Sequence, residues 1–372
     1  MITIREVEDK DLIPLAELLP RGFPDTTTEF WLQRFDMWWI SNPAYTPQLP
    51  RGWVLDTGTT LVGFIGNIPV KFLIRGEVKI GAASSSWYVE PPFRGIISLR
   101  LFNKFMNQRH VSFFLFKAEE APIMGILRKY KFEEYILPQS QTEYIHILNK
   151  KKVLFVLRKI LFSLRYPKLA ELPEFFKRLG MVTGAYIYQK PIQLRNVLPQ
   201  EMYTTSLCTA CDDTFSKIWL PYQNRCDVSL FRDTKTLNWH YFSSGRFHKR
   251  LVIQCHRARD KTLAGYMVFD FERHIPSGGV KMRLMDICIA DKDPQVIASL
   301  TSGALEIGKQ NNADFMTMWA DSPQTDAYFR NTFVIRRHDM HYRFIRFSDS
   351  AVMNSEKDHH GTVCLPMIYP PQ

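Results

Sequence analysis

The sequence predicts a mixed α/β fold built as two tandem copies of one domain, joined by a basic helical connector. Three observations carry this expectation. Short strand-like runs alternate with amphipathic helical runs, the pattern of a mixed sheet covered by helices. The chain has 372 residues, more than a usual single domain. Residue patterns also recur at a spacing near 200, as expected of a duplicated unit.

The recurrence is specific in four places. Trp39 and Trp239 are 200 apart, and Leu61-Val62-Gly63-Phe64 returns as Leu263-Ala264-Gly265-Tyr266 at an offset of 202. Ser86-Trp87-Tyr88-Val89 stands against Asp286-Ile287-Cys288-Ile289, and Phe132 against Phe333. The expected division is a first domain at 1–148, a connector at 149–198, a second domain at 199–347 and a tail at 348–372.

Within the first copy, residues 1–6 read as a short strand. Residues 9–19 read as a helix with Leu12, Leu15, Leu18 and Leu19 on one side. The aromatic run 30–40 reads as a second helix, stopped near Asn42-Pro43. Strands follow at 53–55, 61–74 and 78–89, separated by the turn-like Asp56-Thr57-Gly58 and Arg75-Gly76-Glu77. Helix 96–108, strand 111–116, helix 123–130 and strand 143–148 complete the copy. The second copy repeats the order: helix 211–219, strands 249–254, 262–270 and 283–289, helix 294–309 and strand 315–319.

Composition removes several classes. Hydrophobic residues make up 45% and charged residues 23%, which excludes disorder for most of the chain. No apolar run approaches the length of a membrane span, and the N-terminus has neither a basic start nor an apolar stretch of a secretory signal. Six cysteines are too few for a disulfide scaffold, so the expected setting is reduced and cytoplasmic. The Cys208-Thr209-Ala210-Cys211 spacing invites a zinc reading, with Cys226 and His240 nearby. No second pair with metal spacing follows, and no metal is expected.

The net charge of +11 is concentrated. Between Lys150 and Arg195 eleven Lys and Arg face only Glu171 and Glu174. From Lys150 to Arg165, Leu154, Leu157, Leu161 and Leu164 recur at helical spacing with basic residues on the other faces. Such a segment fits a helix packed between domains with a solvated basic face. It also fits peripheral contact with an anionic membrane surface at its inner face, or with nucleic acid.

One motif narrows the chemistry. At the end of the third meander strand stands Val89-Glu90-Pro91-Pro92-Phe93-Arg94-Gly95, followed directly by a helix. These residues resemble the GNAT acyltransferase superfamily, whose central strand ends in Val-x-Pro-x-(Tyr/Phe)-Arg-Gly. The resemblance covers 1–148 by motif and element order, and 199–347 by element order alone. It implies two tandem GNAT-like N-acyltransferase domains. It further implies that Tyr88, Val89, Arg94, Gly95, Ile96, Ile97, Ser98 and Leu99 hold acetyl-CoA as acyl donor. In the family the strand splays from its neighbour to admit the pantetheine arm, and amides at the helix start face the pyrophosphate.

The sequence departs from the pattern in three ways. Ile97 and Leu99 replace the usual glycines, which closes some of the backbone's openness. The second copy has Asp291 and Asp293 in the matching stretch, acids that would repel a pyrophosphate, so the first copy is the expected donor site. The family's leaving-group tyrosine, five residues before the Phe after the last helix, is Leu127 in the first copy and Tyr328 in the second. Tyr328 is therefore a candidate general acid, or half-buried packing.

Glu90, at the strand end, and Glu119 or Glu120, after the next strand, are candidate general bases. Glu119 and Glu120 also suit capping of the helix that follows. The aromatic sets Phe30, Trp31, Phe35, Trp38, Trp39 and Tyr45, and Trp239, Tyr241 and Phe242, fit either sugar-ring stacking or core packing.

The expected function is transfer of an acetyl or other acyl group from acyl-CoA to an amine or hydroxyl, possibilities including an amino sugar or surface-polysaccharide precursor as small-molecule or saccharide acceptor. Segments such as Leu237-Asn238-Trp239-His240-Tyr241 resemble tandem acyltransferases of polysaccharide synthesis and, more distantly, Fem-type aminoacyl transferases. Two alternatives thus stand beside it: a Fem-type enzyme using charged tRNA, with the basic connector on RNA, and a catalytically degenerate GNAT-fold binding module.

Overall fold

The computed structural model describes residues 2–117, 121–136, 142–149, 202–223, 228–243, 249–274, 279–290, 293–333, 335–338, 342–347 and 363–364. The basic run beginning at Lys150, the candidates Glu119 and Glu120, and nearly all of the tail 348–372 lie outside them. Among the described residues no helix is long and apolar enough to cross a membrane.

The first stretch of chain gives β1 (Thr3–Glu6), α1 (Leu12–Leu18), α2 (Thr28–Phe35), β2 (Gly52–Asp56), β3 (Leu61–Ile74) and β4 (Glu77–Val89). It continues through α3 (Ile96–Met106), β5 (Phe113–Phe116), α4 (Ala121–Lys129), β6 (Glu133–Ile136) and β7 (Thr142–Ile147). The later stretch gives β8 (Tyr203–Cys208), α5 (Asp213–Gln223), β9 (Val228–Leu230), α6 (Thr234–Phe242), β10 (Lys249–Arg257) and β11 (Leu263–His274). After these come β12 (Gly279–Ile289), α7 (Pro294–Gln310), β13 (Phe315–Met318), α8 (Pro323–Thr332), β14 (Ile335–His338), β15 (Tyr342–Phe347) and the short β16 (Val363–Cys364). The mixed α/β class expected from the sequence is the observed one.

Local chemistry accounts for most boundaries. The α2 helix starts where Thr27 accepts from the Phe30 amide at 3.2 Å, and it runs on into a π-helical turn at Asp36–Ile40. The β3 strand is buried on both faces along most of its length, which is why it reads as a continuous apolar run rather than an alternation. The α6 and α8 helices begin on Asp233 and Ser322, whose side chains accept from amides of their first turns.

Two compact units result, and they are not the spans 1–148 and 199–347. One comprises Met1–Ile136, Pro221–Ser244 and Tyr342–Gln372; the other comprises Leu137–Leu220 and Gly245–His341. The reason lies in strand pairing. In the first unit the sheet runs β1-β2-β3-β4-β5-β15-β6, with β9 added to β3 and β16 to β9. In the second it runs β14-β7-β13-β12-β11-β10-β8. The strand expected to close the first copy, β7, therefore lies between β13 and β14, while β15 from the end of the chain lies between β5 and β6.

Packing fixes both strands. Tyr144 of β7 is fully buried against Phe329 and Phe333, and its hydroxyl donates to the Asp326 carboxylate. Phe344 of β15 joins the first unit's core with Phe102, Phe105, Phe116, Leu127 and Phe132. Each such ring removes on the order of 150–250 Å² from water, several kcal/mol of driving force before the entropy of ordering is subtracted.

The duplication appears in the register. Gly63 faces Val89 and Phe64 faces Tyr88 across β3 and β4, while Gly265 faces Ile289 and Tyr266 faces Cys288 across β11 and β12. Both meanders also carry a bulge a few residues before the strand end. In β4 the register jumps between Phe64↔Tyr88 and Gly66↔Ser85; in β12 it jumps between Val268↔Asp286 and Phe269↔Leu284.

Candidate functional site

In the first unit β4 and β5 are parallel but pair only from Gly81↔Phe113 to Ala83↔Leu115. Beyond Ala83 the β4 strand runs on to Val89 with no β5 partner. The bulge lies in this stretch, where Ser86 takes a φ of +53°, a conformation costly for a residue with a Cβ. The consequence is a strand pair whose ladder stops well before β4 does.

The strand end is then anchored. The Glu90 amide donates to Val62 O at 2.9 Å, Pro91–Phe93 make a 3-10 turn, and Gly95 turns the chain into α3 at a φ of +100° that a side chain would resist. No side chain caps α3. The Leu99 amide makes the first α-type bond, to Gly95 O at 3.3 Å. The amides of Ile96 and Ile97 come before it and have no intrahelical acceptor, so they present donors and the positive end of the helix dipole.

The residues expected at the donor site are thus brought together: Tyr88 and Val89 at the strand end, Arg94 and Gly95 in the turn, and Ile96, Ile97, Ser98 and Leu99 in the first helical turn. Their side chains take different roles. Ile96 is 74% exposed, whereas Ile97 packs against the core cluster beneath the helix. Tyr88 is buried against Gly22; a Cβ there would sit 2.2 Å from the ring. The Arg94 Nε donates to Val89 O at 2.9 Å, tying the turn to the strand end, and the rest of its guanidinium is exposed.

Glu90 follows the last residue of β4 and is ion-paired with Arg21. Arg21 was not foreseen, because nothing local links it to Glu90, 69 residues away. Trp87 stacks on Phe102 at 5.0 Å, and Tyr130 donates to Asn103 Oδ1 at 2.7 Å, so Tyr130 serves α3 packing. Leu127 is fully buried.

The second unit repeats the short ladder, with β12 and β13 parallel only from Lys281↔Phe315 to Arg283↔Thr317. Its helix start is closed, however. Asp293 caps α7 by accepting from the Gln295 amide at 2.8 Å, and its other oxygen accepts from the Tyr203 hydroxyl at 2.8 Å. A carboxylate thus occupies the position where an anion would otherwise meet the amides of this helix start. Tyr328 belongs to this second unit; it is half-buried on α8, and burial raises its phenol above the ordinary range.

Most of the aromatic sets resolve as core, while Phe30, Tyr45 and Phe242 are half-buried. Trp38 and Trp39 are each 1% exposed, Trp31 and Phe35 are buried with them, and the Trp39 indole donates to Asn67 O at 2.8 Å. Trp239 and Tyr241 are buried too, the Trp239 indole donating to Met37 O at 2.7 Å. No open ring face for a sugar comes from these buried residues. A cavity of about 610 Å³ lies elsewhere in the first unit, lined by Trp53, Arg100, Lys104, Arg109 and His110 among others and by none of residues 88–99. Among the described residues no group of three or more His, Cys, Asp or Glu side chains is placed to hold a metal ion.

Comparison of the whole chain with solved structures decides the fold. A probable N-acyltransferase from Enterococcus faecalis superposes with a TM-score of 0.60 at 9% identity, covering 95% of this chain and 74% of its own. A GCN5-related N-acetyltransferase from Anabaena variabilis gives 0.59 at 10% identity, with coverage of 95% and 74%. The fold is that of the GNAT N-acyltransferases. Saccharomyces cerevisiae N-myristoyltransferase with bound myristoyl-CoA gives 0.51 at 13% identity, covering 92% of this chain and 82% of the enzyme. No family model matches the sequence, and no curated protein matches it either.

Proposed function

We propose that this GNAT-fold chain transfers an acyl group from acyl-CoA to an amine or hydroxyl, and that the donor binds at the β4–α3 junction of the first unit. One observation carries the reading: the edge of β4 beyond its β5 ladder leads directly into a helix start whose first amides have no side-chain cap. Pantetheine is an amide chain and can add to such an edge as another strand would. A pyrophosphate suits the amides of Ile96 and Ile97, with the exposed guanidinium of Arg94 adding charge.

Acetyl is the first donor to consider, and a small amine or amino sugar the first acceptor. An ammonium acceptor must lose a proton before its nitrogen can attack the thioester carbon. Glu90 stands at the strand end beside Val89, within the reach expected of a base acting directly or through water. Glu90 is also ion-paired with Arg21. A backbone amide at the strand end would polarise the carbonyl oxygen as it becomes an oxyanion. A thiolate is a good leaving group, and the first unit offers Leu127 rather than a phenol to protonate it. Tyr328 and the Asp293-capped α7 support a supporting role for the second unit.

Calorimetric titration of acetyl-CoA into the full chain, beside Arg94→Glu, tests the reading. Saturable binding, weakened at least about tenfold in the variant by loss of a charge-assisted contact, is the expected result. Absence of binding at millimolar acetyl-CoA and at millimolar longer-chain acyl-CoA would overturn it, and attention would pass to charged tRNA as donor or to a binding role.

A further inference from the structure

The second unit carries a pair of thiols that acyl transfer does not use. Strand β8 ends at Cys208 and α5 starts at Asp213, so Cys208 closes the strand and Cys211 lies in the four-residue turn that leads into the helix. The two residues between the cysteines bring their side chains together, and the thiols are hydrogen-bonded to each other. Their settings differ. Cys208 is half-buried, whereas Cys211 is only 4% exposed. Both are thiols in this structure.

We propose that Cys208 and Cys211 form a dithiol–disulfide couple, with Cys208 as the attacking thiol, Cys211 as the resolving thiol and a low-molecular-weight disulfide as oxidant. The reasons are geometric: contact between the thiols, unequal burial, and a two-residue spacing at a strand–helix turn. Electrostatics point the same way. The bond from Cys211, followed by a contact with the Ala210 backbone, brings the Cys208 thiol down to about 7 against the burial that opposes it. Cys211 is pushed up by the same bond, by burial, and by the nearby Cys208, Asp212 and Asp286. Cys255, buried without such a thiol partner, is pushed up to about 12, first by burial and then by Asp293.

The step balances. The Cys208 thiolate attacks one sulfur of the small disulfide, its S–S bond breaks, and the released thiolate takes up a proton. Cys211 then loses its proton and attacks the Cys208 sulfur, forming the protein disulfide and releasing a second small thiol. Two protein thiols become one disulfide, and one small disulfide becomes two thiols.

The test uses the full chain, reduced and then equilibrated with glutathione and its disulfide, followed by alkylation and peptide mass analysis. The expected product joins Cys208 to Cys211. Cys211→Ser should hold glutathione at Cys208, while Cys208→Ser should leave Cys211 unmodified. In the wild type, without any variant, Cys208 should alkylate at least about tenfold faster than Cys255 near neutral pH, because the thiolate is the reactive form. Persistence of both thiols under excess glutathione disulfide would overturn the proposal. Equal alkylation of Cys208 and Cys255 in the folded chain would do the same.

Discussion

The hydroxyl of Tyr203 donates to Asp293 Oδ2 at 2.8 Å, while Oδ1 of the same carboxylate accepts from the Gln295 amide. Strand β8 and the start of α7 are therefore held by one side chain, which also closes the helix end to other anions. Removing it should cost stability: Asp293→Ala is expected to destabilise by about 1 kcal/mol through loss of the cap. Tyr203→Phe should cost about 0.5–1.5 kcal/mol. Because both act through one carboxylate, the double variant should fall short of the sum, as urea unfolding of the four proteins would reveal.

Glu90→Gln keeps the size of the side chain and removes its ability to accept a proton. The expected outcome is a fall in the acyl-transfer rate of about 10²–10⁴-fold with acetyl-CoA affinity unchanged. Steady-state kinetics beside calorimetry would separate the two. An unchanged rate would assign Glu90 to pairing with Arg21 and nothing more.

Tyr144 places β7 in the second unit's sheet, fully buried and bonded through its hydroxyl to Asp326, which Arg330 also engages. Tyr144→Phe should cost about 1–3 kcal/mol, since a bond to a charged group is lost. Tyr144→Ala should cost about 3–5 kcal/mol by leaving a cavity among Phe329 and Phe333. Denaturant melts followed by near-ultraviolet circular dichroism would check both.

Acid should weaken the β1–β2 edge of the first unit. The Gly58 amide and then the Arg5 guanidinium hold the Asp56 carboxyl below its ordinary range, and Arg5 also engages Asp11. A carboxyl with a depressed folded value stabilises fully above the unfolded value of about 3.9. That contribution is lost as pH falls from there through the lower folded value. Solvent exposure limits it to about 1 kcal/mol or less. Asp56→Asn should lower stability at neutral pH and flatten the wild-type decline below about pH 4, measured as urea midpoints against pH.

Much of the candidate site is legible in the chain itself because its signals are local. Pro91, Pro92 and Gly95 dictate a turn, Ile96 to Met106 keep helical periodicity, and the apolar run of β3 needs no partner to be recognised. The register pairs Gly63↔Val89 and Gly265↔Ile289 likewise follow a repeat visible in the residues. The inward turn of Ile97 is different, since helical position alone leaves open which face the core will cover. Arg21 on Glu90, the bulge at Ser86 and the burial of Trp38 and Trp39 all depend on residues distant in the chain.

The sequence by itself determined the mixed α/β class, the two meanders and the strand–turn–helix of the candidate site, because hydrophobic period and turn chemistry act over a few residues. Only the tertiary structure decided which sheet receives β7 and which receives β15. Both are six-residue strands whose backbone would pair with any open edge. Their choice rests on Tyr144 meeting Phe329 and Asp326, and on Phe344 meeting Phe116 and Phe132, contacts that exist only once the helices and sheets around them have formed.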